Sequence, residues 1–148
     1  MPKRRRTFMR PPARQLTVVE RIGIDVRDGD SEFASQLIVD ALLGYGAKGS
    51  PRGLVASLIH RTNESRIPVL SVDLPSGLDA TTGAPNDPCI RATATVTFGL
   101  PKTGFLNPLA RQLVGELYLA DISIPRKLYQ RFGQQGDVFH DGNLVKVW

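Results

Sequence analysis

The chain has a single cysteine, Cys89, in 148 residues. A lone thiol excludes an internal disulfide and has no partner for a cysteine metal site, so a reducing, cytoplasmic compartment is expected. No apolar run approaches the length of a membrane-spanning helix, so no membrane association is expected. Acids are missing from the start: Lys3, Arg4, Arg5, Arg6, Arg10 and Arg14 all precede Glu20, the first carboxylate, and the formal net charge of +5 is concentrated there. Aromatic residues are few, at 7%, and only Phe8 lies beside this cluster, so the stacking surface of a nucleic-acid arm is lacking. There is no serine before Ser31, unlike a transit peptide, which is Ser-rich as well as Arg-rich. Residues 1–14 therefore read as a solvated basic segment, and nucleic acid is not an expected partner. Internal repeats and low-complexity stretches are absent as well.

What is present is the composition of a soluble globular domain, 41% hydrophobic and 22% charged. Pro11-Pro12 opens a helix carrying Leu16, Val19 and Ile22 on one face, followed by a short strand, Ile22–Val26, and the turn Arg27-Asp28-Gly29-Asp30. Further buried strands are read at Leu37–Leu43, Val69–Val72, Ala92–Phe98 and Glu116–Ile124. Between them, Ser50-Pro51 looks like an N-cap and first helical position for a helix with Leu54, Leu58 and Ile59 inward, and Leu106–Val114 is a second helix. Lys127–Phe132 is a short last helix, and residues 133–148 read as an irregular tail. Alternating strands and helices over residues 15–132 predict an α/β domain, a layered fold on a mainly parallel sheet.

The chemistry gathers where the strands should end. The stretch Ile67–Gly83 opens with an apolar strand and changes abruptly at Asp73, Pro75-Ser76-Gly77 and Asp79, Thr81, Thr82. In open α/β sheets ligands bind outside the carboxyl ends of the strands; the same residues equally suit a polar turn. Asp40 interrupts an apolar run, and a carboxylate there is costly to bury unless it is hydrogen-bonded, paired or on a metal. Gly44, Tyr45, Gly46, Ala47, Lys48 and Gly49 satisfy G-x-G-x-x-G after a strand, with Asp73 where a dinucleotide fingerprint places its acid. The helix, however, is expected to start only after the glycines. The loop then either holds an anion on its backbone amides or is simply a tight turn. The lysine of a Walker A loop is missing, with Gly49 in its place.

Four blocks carry a resemblance: Ile38–Gly46 (IVDALLGYG), Val72–Asp79 (VDLPSGLD), Thr95–Gly104 (TVTFGLPKTG) and Gly115–Ile122 (GELYLADI). In this order and spacing they resemble the NAD(P)H-hydrate epimerase family, the YjeF N-terminal domain, over roughly residues 12–130. The resemblance implies a Rossmann-like three-layer fold that interconverts the R and S forms of hydrated NADH or NADPH, with the S form repaired by a separate dehydratase. It implies a potassium ion held by Asp40 and Ser76, a substrate-binding loop Gly44–Ser50, and Asp73 as the substrate-contacting, proton-transferring acid. On that reading Asp40 and Asp73 converge on one hollow that also receives the glycine loop. Lys102 is a candidate phosphate partner or a solvated lysine. A homodimer or a complementing chain is the expected protein partner. The family's Asn-Asn-Gly-Gly-Asp loop has no counterpart here, so the domain is expected to be N-terminally truncated, and a non-catalytic nucleotide-binding or interaction remnant is the alternative.

Overall fold

A computed structural model describes residues 13–27, 29, 31–131, 133, 138–140 and 142–148. The chain divides into two compact units, one ending at Glu32 and one running Phe33–Trp148. Most of the basic segment lies outside the described residues.

In the first unit, α1 spans Ala13–Arg21 and carries Leu16 and Val19 half-buried. No strand follows at Ile22–Val26. Gly23 adopts the left-handed conformation (φ 79°), its N–H donates to Glu20 O (3.2 Å), and the Ile24 N–H donates to Val19 O (3.2 Å). This paired closure is how a glycine after a helix satisfies the last carbonyls. It uses the first residues of the apparent strand as a helix stop.

The second unit holds the sheet. Its strands are β1 Ile38–Asp40, β2 Val69–Val72, β3 Ala94–Phe98, β4 Glu116–Ala120 and β5 Leu144–Lys146. They lie in chain order; β1 to β4 are parallel and β5 is antiparallel to β4. The helices are α2 Gly53–Ser65, α3 Pro108–Val114 and α4 Arg126–Arg131, with a 3-10 turn at Thr103–Leu106. The expected α/β class and mainly parallel sheet are therefore present.

Alternation along the strands sets the core. Val69 and Ser71, Thr95 and Thr97, and Leu117 and Leu119 are buried, while their strand neighbours are half-buried, save Glu116, which is exposed. In register, Asp40, Ser71, Thr95 and Leu117 form one row across this face. Ile59 of α2 packs with Val69, Ile90 and Ala92; Ala110 and Val114 of α3 pack with Leu117, Leu74 and Phe105. Both helices thus cover the same side of the sheet. Residues of the opposite parity range from half-buried Leu70, Val72 and Val96 to Val39, which is 57% exposed.

Several expected boundaries move. The run from Leu37 forms a strand only at Ile38–Asp40, while the glycine turn stands where expected, from Gly44. Ser50 is not the cap of α2: Arg52 occupies that position with no side-chain cap bond, and Leu54 is exposed while Ile59 and Thr62 are buried. The expected helix Leu106–Val114 is split. Asn107 breaks out of the 3-10 turn and caps α3 by accepting from the Leu109 N–H (3.0 Å), with Pro108 in the first turn. β4 stops at Ala120. The tail is not wholly irregular, because Leu144–Lys146 adds a strand to β4 and Trp148 packs against the α3 cluster. A three-residue alternation is too short a signal to read unaided.

Candidate functional site

β1 delivers Asp40 to the interior, where it is 2% exposed. Its Oδ1 accepts from Ser76 Oγ (2.6 Å) and the Leu42 N–H (3.3 Å); its Oδ2 accepts from the Ser76 N–H (2.8 Å) and Ser71 Oγ (2.9 Å). Ser76 Oγ in turn accepts from the Leu43 N–H (2.9 Å). One carboxylate therefore ties the end of β1 to β2 and to the turn after it. No positively charged side chain pairs with Asp40 among the described residues. Its charge is felt at Cys89, whose thiol is pushed up to about 12, first by burial and second by Asp40.

The turn after β2 is tight because Gly77 sits at φ 98° with a would-be Cβ only 2.5 Å from the Pro88 carbonyl oxygen. Only glycine fits there. Facing it is the loop Gly44–Ser50, exposed throughout and turned by the Ala47 N–H donating to Gly44 O (3.0 Å). A shallow hollow lies between the two, lined by Leu43, Gly44, Ala47 and Gly49 on one side and by Pro75 and Gly77 on the other. Tyr45, Lys48 and Ser50 stand exposed on the same loop. Beyond the turn, Asp79 Oδ1 accepts from the Thr82 N–H (2.8 Å), Thr82 Oγ1 (2.9 Å) and the Thr81 N–H (3.0 Å). These donors, the Thr82 N–H foremost, hold its carboxyl below the ordinary range. Asp79, Thr81 and Thr82 thus build a turn.

Asp73 takes a different direction. It follows β2 with φ 72°, a left-handed conformation uncommon outside glycine, and its N–H donates to Val96 O (2.8 Å). Its Oδ1 forms an ion pair with Lys102 Nζ at 2.6 Å and accepts from Thr97 Oγ1 at 3.3 Å. The two side chains are 20% and 14% exposed. Lys102 is therefore not the solvated lysine of the sequence reading but the ion-pair partner of Asp73.

The structure brings Asp40, Ser76 and the glycine loop together. It does not bring Asp73 into the same cluster: no contact joins it to Asp40, and neither carboxylate lines the hollow. The sequence reading also passed over Ser71, Thr97 and the acid partner of Lys102. Hydroxyls on the buried parity, Ser71 of β2 and Thr95 and Thr97 of β3, were the available signal.

With this geometry in view, the comparisons place the chain. Residues 4–104 match the family described as YjeF-related protein N-terminus. The chain belongs to that family. It is 36% identical over 138 residues to an NAD(P)H-hydrate epimerase of Dehalogenimonas lykanthroporepellens, covering 90% of this chain and 55% of that protein. It is 49% identical over 94 residues to a bifunctional NAD(P)H-hydrate repair enzyme of Moorella thermoacetica, covering 64% of this chain and 18% of the other. Among solved structures, the yeast protein ynu0 superposes with a TM-score of 0.65 at 25% identity, covering 76% of this chain and 47% of that one. The chain spans about half the length of the curated epimerases it matches.

Proposed function

We propose that this chain works as an NAD(P)H-hydrate epimerase, interconverting the R and S forms of hydrated NADH or NADPH. The observation that carries the reading is the Asp40–Ser76 clamp (2.6 Å), which sets the glycine loop against the Pro75–Gly77 turn at the ends of two parallel strands. The kinship with proteins bearing that name supports it. In this reading the amides of Gly44–Ser50 hold the substrate's phosphates. The Asp73 carboxylate takes and returns the proton that inversion at the hydrated ring carbon requires.

The residues also fit a potassium ion. Asp40, Ser76 Oγ and neighbouring carbonyls are an all-oxygen set, which suits a hard cation. Asp40 is buried among neutral donors, with no positive side chain paired to it among the described residues to act as a balancing charge. When bound, the ion supplies that balancing charge beside the phosphate loop. A second copy or a complementing chain is proposed as the partner on the open side of the hollow, and a reducing compartment fits the lone thiol.

Titration calorimetry with NADPH in potassium and in choline salts tests this. Binding is expected to be tighter in potassium and lost in Asp40→Ala and Asp73→Ala. Absence of binding in both salts would contradict it and favour a remnant that keeps only the fold.

A further inference from the structure

The Lys102–Asp73 contact is not used by the proposal above, and its geometry is unusual for a stabilising surface pair. The lysine lies just beyond β3, whose carboxyl end stands beside that of β2 in the parallel sheet. The Gly99 N–H donates to Ala120 O (3.0 Å), extending the pairing with β4, and the Leu100 N–H donates to Phe98 O (2.7 Å), which turns the chain off the strand. The Phe105 N–H then donates to Lys102 O (3.0 Å), starting the 3-10 turn with Lys102 as its cap residue. The Lys102 side chain is 14% exposed and its Nζ sits 2.6 Å from Asp73 Oδ1, while Thr97 donates to the same oxygen at 3.3 Å. Asp73 is held in a left-handed backbone conformation that only the surrounding bonds maintain. A strained acid, fixed by an ion pair and a hydroxyl on one oxygen, stands at the carboxyl end of a central parallel strand. That is where α/β sheets bind ligands.

We infer that Lys102 is a positioning residue for Asp73, resting on the assignment of Asp73 as the proton-transferring group. Lys102 and Thr97 hold Oδ1 and so fix the carboxylate's rotation, leaving Oδ2 for the substrate. Lys102 acts through Asp73 and does not itself bind the phosphates.

The test is steady-state epimerisation of hydrated NADPH by the full chain carrying Asp73→Asn, Lys102→Met, Lys102→Arg or Asp73→Asn with Lys102→Met, with thermal unfolding of each. Lys102→Met is expected to lower kcat about 100-fold with KM changed less than about threefold, and Lys102→Arg to keep kcat within about tenfold. The double variant is expected to be no slower than Asp73→Asn alone, because both changes remove the same function. The double variant also escapes the half-buried carboxylate without its ion-pair partner that Lys102→Met creates, so it stays informative if the single one unfolds. An unchanged kcat in Lys102→Met, a loss confined to KM, or an additive loss in the double variant would overturn the inference while leaving Asp73 in its role. A chain whose turnover is indifferent to Asp73→Asn, or absent from the start, would overturn the underlying reading instead.

Discussion

Asp40 illustrates how one side chain can organise two loops. Its four donors come from Leu42, Ser71 and Ser76, and replacing the carboxylate by an amide turns one acceptor into a donor facing other donors. Asp40→Asn is therefore expected to lower unfolding stability by about 2 kcal/mol or more, read from the urea midpoint at constant slope. A second prediction concerns Cys89. Its thiol is raised from 9.0 to about 12, so above pH 9 the folded chain keeps a proton that the unfolded chain has released. Stability from this group is full below pH 9 and falls as pH climbs towards 12. Urea midpoints on either side of pH 9 should show the fall, and Cys89→Ala should remove its share of it. Asp40 was legible in the sequence because an acid inside IVDALL is chemically anomalous. Lys102 was not, because a lysine between Gly99 and Gly104 carries no sign of the acid that the end of the neighbouring strand brings to it.

At the scale of elements, glycines separate into two kinds. Gly83 has φ 69°, and a Cβ there would lie 2.1 Å from Gly104 O, so the β2–β3 connection is seated directly on the 3-10 turn, backbone to backbone. Gly83→Ala should cost more than about 2 kcal/mol, since backbone must move. Gly46 has open space around its would-be Cβ and no positive φ. Gly46→Ala should leave stability within about 0.5 kcal/mol while weakening NADPH binding, measured by calorimetry on the folded variant. If Gly46→Ala binds as the wild type does, that amide does not touch the ligand. The parallel strands β2, β3 and β4 were readable from apolar runs bounded by Gly and Pro, whereas the start of α3 was missed, because Asn107 divides the expected helix Leu106–Val114. The expected strand Ile22–Val26 failed because a local helix stop at Gly23 uses backbone bonds that hydrophobic patterning does not register. Ser50-Pro51 misled for a related reason: a good cap sequence stood before a loop that continues to Gly53.

For the whole second unit, the closing feature is β5 with Trp148. The indole lies against the α3 cluster, donates to Gly115 O (3.0 Å) and is covered by the Arg111 guanidinium 4.6 Å from its ring centre. Trp148→Ala is expected to lower stability by roughly 2 kcal/mol, visible in thermal unfolding. Long-range closure of this kind is where single-sequence reading is weakest, because the three residues of β5 acquire meaning only beside β4. The central question is whether a chain with its loops gathered by Asp40, and with Asp73 paired separately at the end of β2, turns over a hydrated dinucleotide. The direct measurement is chromatographic separation of R- and S-hydrated NADPH after incubating one pure epimer with the chain in potassium. The account predicts rapid approach to an epimer mixture, slowed about 100-fold or more by Asp73→Asn. Interconversion no faster than in buffer, or equally fast with Asp73→Asn, would contradict it.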